Sequence, residues 1–285
     1  MSNAWEHLQT VRDMIGEGTA AHWSDRELLK MINVAQGRLS KVVAQAIGGW
    51  LIKSASVTPS SSIISWPADC AKIVYLEETT SGRPVPFSTN VIDRRVSRLV
   101  GTSLYSGAVE AYTQMRQIVV NQESYSTACT LWYQIRVPDL HTGSAGAGGA
   151  ASITLSAHDG AGTSGGFGAR MIADYYNNCG IQVVSGTGVG APDTITDYTA
   201  ARVATVTGTY AAASIYGTIS RLPEECWDLM AVEAAVMAMA KPGSVVDPVV
   251  FGFMKDRWQE ANGSFVEWLS IETVGTRRTR VTELD

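Results

Sequence analysis

The sequence predicts an α+β fold, on three observations. Apolar side chains recur at helical spacing near the start of the chain and again over 222–269. Short apolar runs broken by Gly, Pro and Asp occupy 52–137. A Gly/Ala/Ser-rich break at 141–151 is followed by strand patterning as far as 220. Helices at both ends with strands between them predict an α-helical bundle, a small antiparallel β region and a further all-β domain.

The first helix is expected over 4–17, with Trp5, Leu8, Val11 and Ile15 inward and Gly16 and Gly18 closing it. Ser24-Asp25-Arg26-Glu27 has the form of a capping box, the serine bonding forward and the glutamate back. The helix it opens carries Leu28, Ile32, Ala35, Leu39, Val42 and Ala46 on one face. Strands are expected at 52–57, 62–66, 70–77, 110–115, 117–121 and 129–137, with a short charged helix at 90–99. A second group is expected at 153–157, 180–185, 193–198, 201–207 and 215–220, with an irregular turn over 170–178.

Leu222-Pro223-Glu224-Glu225-Cys226-Trp227 opens the C-terminal pair of helices. Pro223 suits a first helical turn, and the two glutamates complement the positive end of the helix dipole. Trp227, Met230, Ala234 and Met237 form the expected inward face, and the remaining alanines allow a neighbouring backbone to come close. The last helix is expected to start with Asp247 as cap and Pro248 as first residue. Its apolar stripe runs through Phe251, Met254, Trp258, Ala261, Phe265 and Trp268, over a length of roughly 30 Å. The residues expected to serve helix packing or a subunit interface are Trp227, Met230, Ala234, Phe251, Trp258 and Phe265.

Composition narrows the function classes. Charged residues make up 17% of the 285-residue chain, and the net charge is -5. An acidic balance argues against general nucleic-acid affinity. The four cysteines at 70, 129, 179 and 226 lack metal or redox spacing and read as buried thiols. Neither a signal peptide nor a long apolar span is visible, which predicts a chain made and kept in a cytosol, with no membrane partner.

Motifs that could carry chemistry read more simply as structure. Gly162-Thr163-Ser164-Gly165-Gly166 matches the serine-hydrolase pentapeptide but sits in a glycine run with no helix to follow. Gly186-Thr187-Gly188-Val189-Gly190 lacks the lysine of a phosphate loop and reads as a turn. His141 and His158 with Asp139 and Asp159 could meet a metal only if the fold gathered them. No catalytic, cofactor or metal site is therefore expected. Arg277-Arg278-Thr279-Arg280 is the one compact basic cluster, either a solvated tail or an arm that reaches a partner or phosphate.

Several of these stretches together resemble the head-to-tail connector or adaptor proteins of tailed bacteriophages. The matching residues are 25–47, Pro67-Ala68-Asp69 with 72–76, Gly82-Arg83-Pro84-Val85-Pro86, 136–140 and 222–239. In similar proteins the Arg-x-Pro-Asp-Leu segment nearly abuts the Leu-Pro helix, whereas here about 80 residues intervene, far beyond an ordinary connection. The resemblance therefore implies an adaptor core of 1–140 plus 221–285, a linker at 141–151 and an inserted β domain at 152–220. The insert, with Cys179-Gly180 leading into Ser185-Gly186-Thr187-Gly188 and then Ile195-Thr196-Asp197-Tyr198, is similar to a small β module of phage structural proteins. Ala191 stands where that module usually has glutamine.

What the resemblance implies is a non-enzymatic virion protein at the head–tail interface, assembled in the bacterial cytoplasm. It would form a ring, commonly a dodecamer, that docks on the portal protein and extends the DNA channel. The next tail component, whether nozzle, stopper or tail tube, would attach to it, and genome DNA would pass without sequence-specific binding. In resembling adaptors the C-terminal segment extends toward the portal, which makes Arg277, Arg278 and Arg280 the expected portal contacts. The competing reading makes the insert the working part, contacting a host glycan, a fibre or a capsid neighbour.

Overall fold

The computed structural model describes residues 2–17, 22–47, 49–87, 109–122, 124–160, 168–190, 192–241 and 248–282, with side chains of the final helix described to 272. The fold is α+β: among the described residues there are four α-helices and four small antiparallel sheets. The chain divides into two compact units, 1–48 with 137–285, and 49–136.

The larger unit contains all four helices: α1 (Ala4–Met14), α2 (Asp25–Ala46), α3 (Trp227–Met239) and α4 (Pro248–Thr282). Asn3 caps α1, its side-chain oxygen accepting from the N–H of Trp5 and Glu6 at 3.0 and 3.1 Å. Ser24 and Glu27 form the expected reciprocal box at the start of α2. α2 buries Leu28, Ile32, Ala35 and Leu39 and then Val43, while Val42 is 41% exposed. Either valine suits helical spacing after Leu39, and the longer step keeps the face toward α3. A 3₁₀ turn, Glu224–Cys226, leads into α3. α3 is buried almost all round: Leu229, Val232, Ala235 and Met239 are covered as well as Met230 and Ala234. The single inward face expected for it is thus too narrow. A helix apolar on every side belongs in the middle of its neighbours, and α1, α2 and α4 all pack against it.

The same unit holds two sheets. One has the order β11 (Asp193–Thr194), β10 (Gly180–Ser185), β14 (Ile215–Ile219), β7 (Thr142–Ser144). The other runs β12 (Asp197–Tyr198), β13 (Val203–Thr205), β9 (Ser152–Thr154), β8 (Ala147–Gly148). Their shared core is built on Ile153, Leu155, Tyr176, Ile181, Tyr198, Ala204 and Tyr216. Tyr176 and Tyr198 meet edge to face at 4.9 Å.

The sequence boundaries differ from this division in two places. Residues 141–151, expected as a linker, supply β7 and β8, and β7 pairs with β14 through Thr142, Gly143 and Ser144. The β region 152–220 also joins the helical unit: Asn3 donates to Gln182 at 2.9 Å and bridges Ile219, so the start of α1 is tied to β10 and β14. Gly217 makes that contact possible, since a Cβ there would lie 2.6 Å from the Asn3 side-chain oxygen. Composition hid both features, because glycine and serine in β7 are selected by close approach rather than by strand propensity.

The smaller unit, 49–136, has two three-stranded sheets. One is β1 (Ile52–Val57), β6 (Cys129–Ile135), β3 (Cys70–Glu78), in that order. The other is β2 (Ile63–Ser65), β5 (Gln117–Val120), β4 (Ala111–Gln114). Ile64, Leu76, Ala111, Ile118, Cys129, Leu131 and Tyr133 form its core. The charged helix expected at 90–99 lies outside the described residues.

Candidate functional site

Two features of the larger unit could serve function: the outer surface of α4 and a polar cleft beside α2. α4 comprises 35 residues, about 52 Å at 1.5 Å per residue, and so runs well past the length its apolar stripe predicts. It begins at Pro248 as expected, and Asp247 lies outside the described residues. Met254, Phe265 and Leu269 are buried, with Phe251, Trp258, Ala261 and Trp268 packed partly against the same core. Met230 and Ala234 of α3 are fully buried there, and Trp227 is half-buried. All six residues expected for helix packing or a subunit interface therefore meet in one apolar core within the chain.

The opposite side of α4 is different. Val249 is 77% exposed, Phe253 66% and Ile271 65%. Phe253 and Ile271 are about five turns apart on one side of the helix, with the exposed polar residues Glu260, Ser264 and Glu267 between them, while Val249 and Val250 lie beside Phe253. A salt bridge from Arg257 to Asp228 at 3.4 Å ties α4 to α3, and Arg38 of α2 pairs with Glu233 of α3 at 2.5 Å. The backbone of α4 stays helical to Thr282, so Arg277, Arg278 and Arg280 sit on its last turns, and their side chains lie outside the described residues.

The cleft has a volume of about 420 Å³ and lies between α2 and the segments around 139–141, 159 and 168–176. Two amides of α2 hold the 138–140 segment beside it. Asn33 donates to the Leu140 carbonyl at 2.9 Å and accepts from the Leu140 N–H at 2.6 Å. Gln36 donates to the Pro138 carbonyl at 2.9 Å and accepts from Ser220 at 2.8 Å. Asp139 on the rim is engaged by Arg170 at 2.5 Å. The Tyr216 phenol oxygen accepts from the Ser156 N–H at 2.6 Å and shares a hydrogen bond with His141 Nδ1 at 2.9 Å. His141 Nε2 then faces Asp159 at 3.4 Å.

The fold thus sets His141 and Asp159 within 3.4 Å of each other and places Asp139 on the rim of the same cleft, bonded to Arg170. Among the described residues no group of three His, Cys, Asp or Glu side chains could hold a metal ion. His141 is 3% exposed, so the arrangement fixes a ring in place rather than presenting it to a substrate. The cysteines are equally enclosed: burial pushes the thiols of Cys70 and Cys179 up to about 11 and that of Cys226 to about 12, away from the nucleophilic thiolate. Gly186 and Gly188 take positive φ at a turn where a Cβ on Gly188 would lie 2.6 Å from the Tyr210 ring. Close packing of Gly188 against Tyr210 and of Gly186 against Ser214 accounts for those glycines without a phosphate. The hydrolase-like 162–166 motif lies outside the described residues.

Sequence reasoning missed His7 and Arg12. Arg12 is 2% exposed and bonds Glu17, the Trp23 carbonyl and Asp25, joining α1 to the start of α2. His7 meets Trp227 edge-on at 6.0 Å, and burial pulls its imidazole down to about 4. The faint signal for both was their place on the apolar face of α1, at helical spacing from Leu8 and Val11. Among the described residues no helix is long and apolar enough to cross a membrane. No protein-family model matches the chain, and no curated protein matches it in sequence.

Proposed function

We propose that the chain is a structural, non-enzymatic virion protein: a ring-forming head-to-tail adaptor of a tailed bacteriophage. In this reading the four helices are the bundle of the adaptor core, and 152–220 is an elaboration on it. About twelve copies dock on the portal, extend the DNA channel and present a platform to a nozzle, stopper or tail tube. The subunit count rests on the family resemblance alone. The acidic net charge suits a channel that lets DNA pass without gripping it. Arg277, Arg278 and Arg280, at the end of α4, are the proposed portal contacts.

The observation that supports the reading is the exposed apolar cluster of Val249, Val250 and Phe253 at the start of a helix whose other face is already packed, with Val266 and Ile271 exposed further along. A cluster of large apolar side chains left exposed on a helix marks a surface for another chain. A neighbouring copy in a ring covers such a cluster once per subunit. The test is the double variant Phe253→Asp, Ile271→Asp, mixed with the portal protein of the same virion and weighed by native mass spectrometry. The wild-type chain gives one dominant stoichiometry on the portal, and the variant stays monomeric with an unchanged circular dichroism spectrum. Equal assembly by both chains contradicts the reading.

A further inference from the structure

The β1-β6-β3 sheet of the smaller unit has one packed face and one open face. On the central strand, Leu131 and Tyr133 turn into the core, at 0% and 1% exposure, while Trp132 turns outward at 38%. The register sets Ser54 of β1 and Tyr75 of β3 on either side of Trp132. Two irregularities in β3, between Cys70 and Lys72 and between Ile73 and Tyr75, bring Lys72, Tyr75 and Glu77 to the same side. Lys72 then stands beside Gln134, and Glu77 beside Thr130. Tyr75 is as exposed as Trp132, at 38%.

The indole is tethered. Trp132 Nε1 donates to Glu77 Oε1 at 3.1 Å, so the ring edge is held toward β3 and its polar atom is satisfied. What it offers a ligand is its apolar face. Around it stand an amide, a carboxylate, an ammonium and a hydroxyl, at the roughly 4.8 Å spacing of neighbouring strands and the ~7 Å spacing of alternate residues. The two charges, Lys72 and Glu77, cancel. A nucleic acid stacking on Trp132 and Tyr75 would need a cationic surplus that this face lacks. Two half-exposed rings with Val74 beside them make a smaller apolar area than the patches that mark a stable protein interface.

We propose that this face binds a neutral glycan. A pyranose ring has an apolar C–H face and a rim of hydroxyls, and the sheet matches both. The C–H face stacks on Trp132 with Tyr75 alongside. The rim hydroxyls bond Gln134, Ser54 and Lys72, with the second oxygen of Glu77 as an acceptor. The site belongs to the smaller unit and is independent of whether the chain assembles into a ring.

The test titrates the full-length chain with maltohexaose, cellohexaose and chitohexaose by calorimetry, beside the oligonucleotide dT12. At least one sugar binds, and Trp132→Ala weakens it about tenfold or more, as expected for loss of a stacking platform. Trp132→Phe retains part of the affinity. Gln134→Ala loses several-fold, which keeps the test sharp if the tryptophan variant misfolds. Urea midpoints for both alanine variants stay near wild type, because these side chains point away from the core. The proposal is overturned if no sugar binds, if dT12 binds more tightly than every sugar, or if the sugar affinity of a folded Trp132→Ala chain is unchanged.

Discussion

The carboxylate of Asp193 accepts from the backbone N–H of Thr194, Thr207 and Gly208 and from the hydroxyls of Thr207 and Tyr210. It pins the 207–210 turn to β11. Burial works against its charge, but the donors of Gly208, Thr194 and Thr207 together outweigh that and hold the carboxyl below its ordinary 3.8. The folded value is depressed, so this stability is present above the unfolded value and is lost as pH falls through the folded one. Asp193→Ala is expected to cost about 2 kcal/mol at pH 7 in urea unfolding, with the deficit shrinking in strong acid. His7 acts in a different window. Its folded value of about 4 lies below the ordinary 6.5, so the unfolded chain takes up the proton first and stability falls between those two values as the solution is acidified. The loss is on the order of 3 kcal/mol. His7→Phe removes it, and unfolding midpoints compared at pH 7 and pH 4.5 check this: the wild type drops more than the variant.

At the scale of elements, α3 organises the larger unit. Ala231, Ala234, Ala235 and Ala238 are all buried, so helix backbones approach it closely on several sides. Ala234→Leu is expected to destabilise by ~1–3 kcal/mol through overpacking, whereas Ala240→Leu at the exposed end stays near neutral. Urea midpoints of the two variants measure the contrast. Much of this level was legible in the sequence. The Ser24–Glu27 box, Pro248 as first residue of α4 and the Phe251-to-Trp268 stripe depend on residues close in the chain, where local rules apply. The choice between Val42 and Val43 was not legible, because both satisfy helical spacing and only the packing of α2 on α3 decides. The strand β7 was not legible either. Its partner β14 lies some seventy residues on, and Thr-Gly-Ser carries no strand signal of its own. The same holds for the grouping of Trp132 with Tyr75 and Ser54: the alternation marks Trp132 as outward, but the register that surrounds it is non-local.

For the whole molecule, the central claim is a place in the virion. The helical unit supplies a long helix with one packed face and exposed apolar side chains at Val249, Val250, Phe253 and Ile271, and the smaller unit supplies an aromatic sheet face. A ring around a channel would cover the exposed apolar side chains of α4 between subunits. The basic residues Arg277, Arg278 and Arg280 would then sit at the end of α4 nearest the portal. The most direct measurement is a symmetry-expanded electron-microscopy reconstruction of the virion head–tail junction. The account predicts this chain as one closed ring beneath the portal, about twelve copies, with Phe253 and Ile271 at the contact between neighbours. Finding the chain outside that junction, or in the ring with Phe253 and Ile271 facing open solvent, contradicts it.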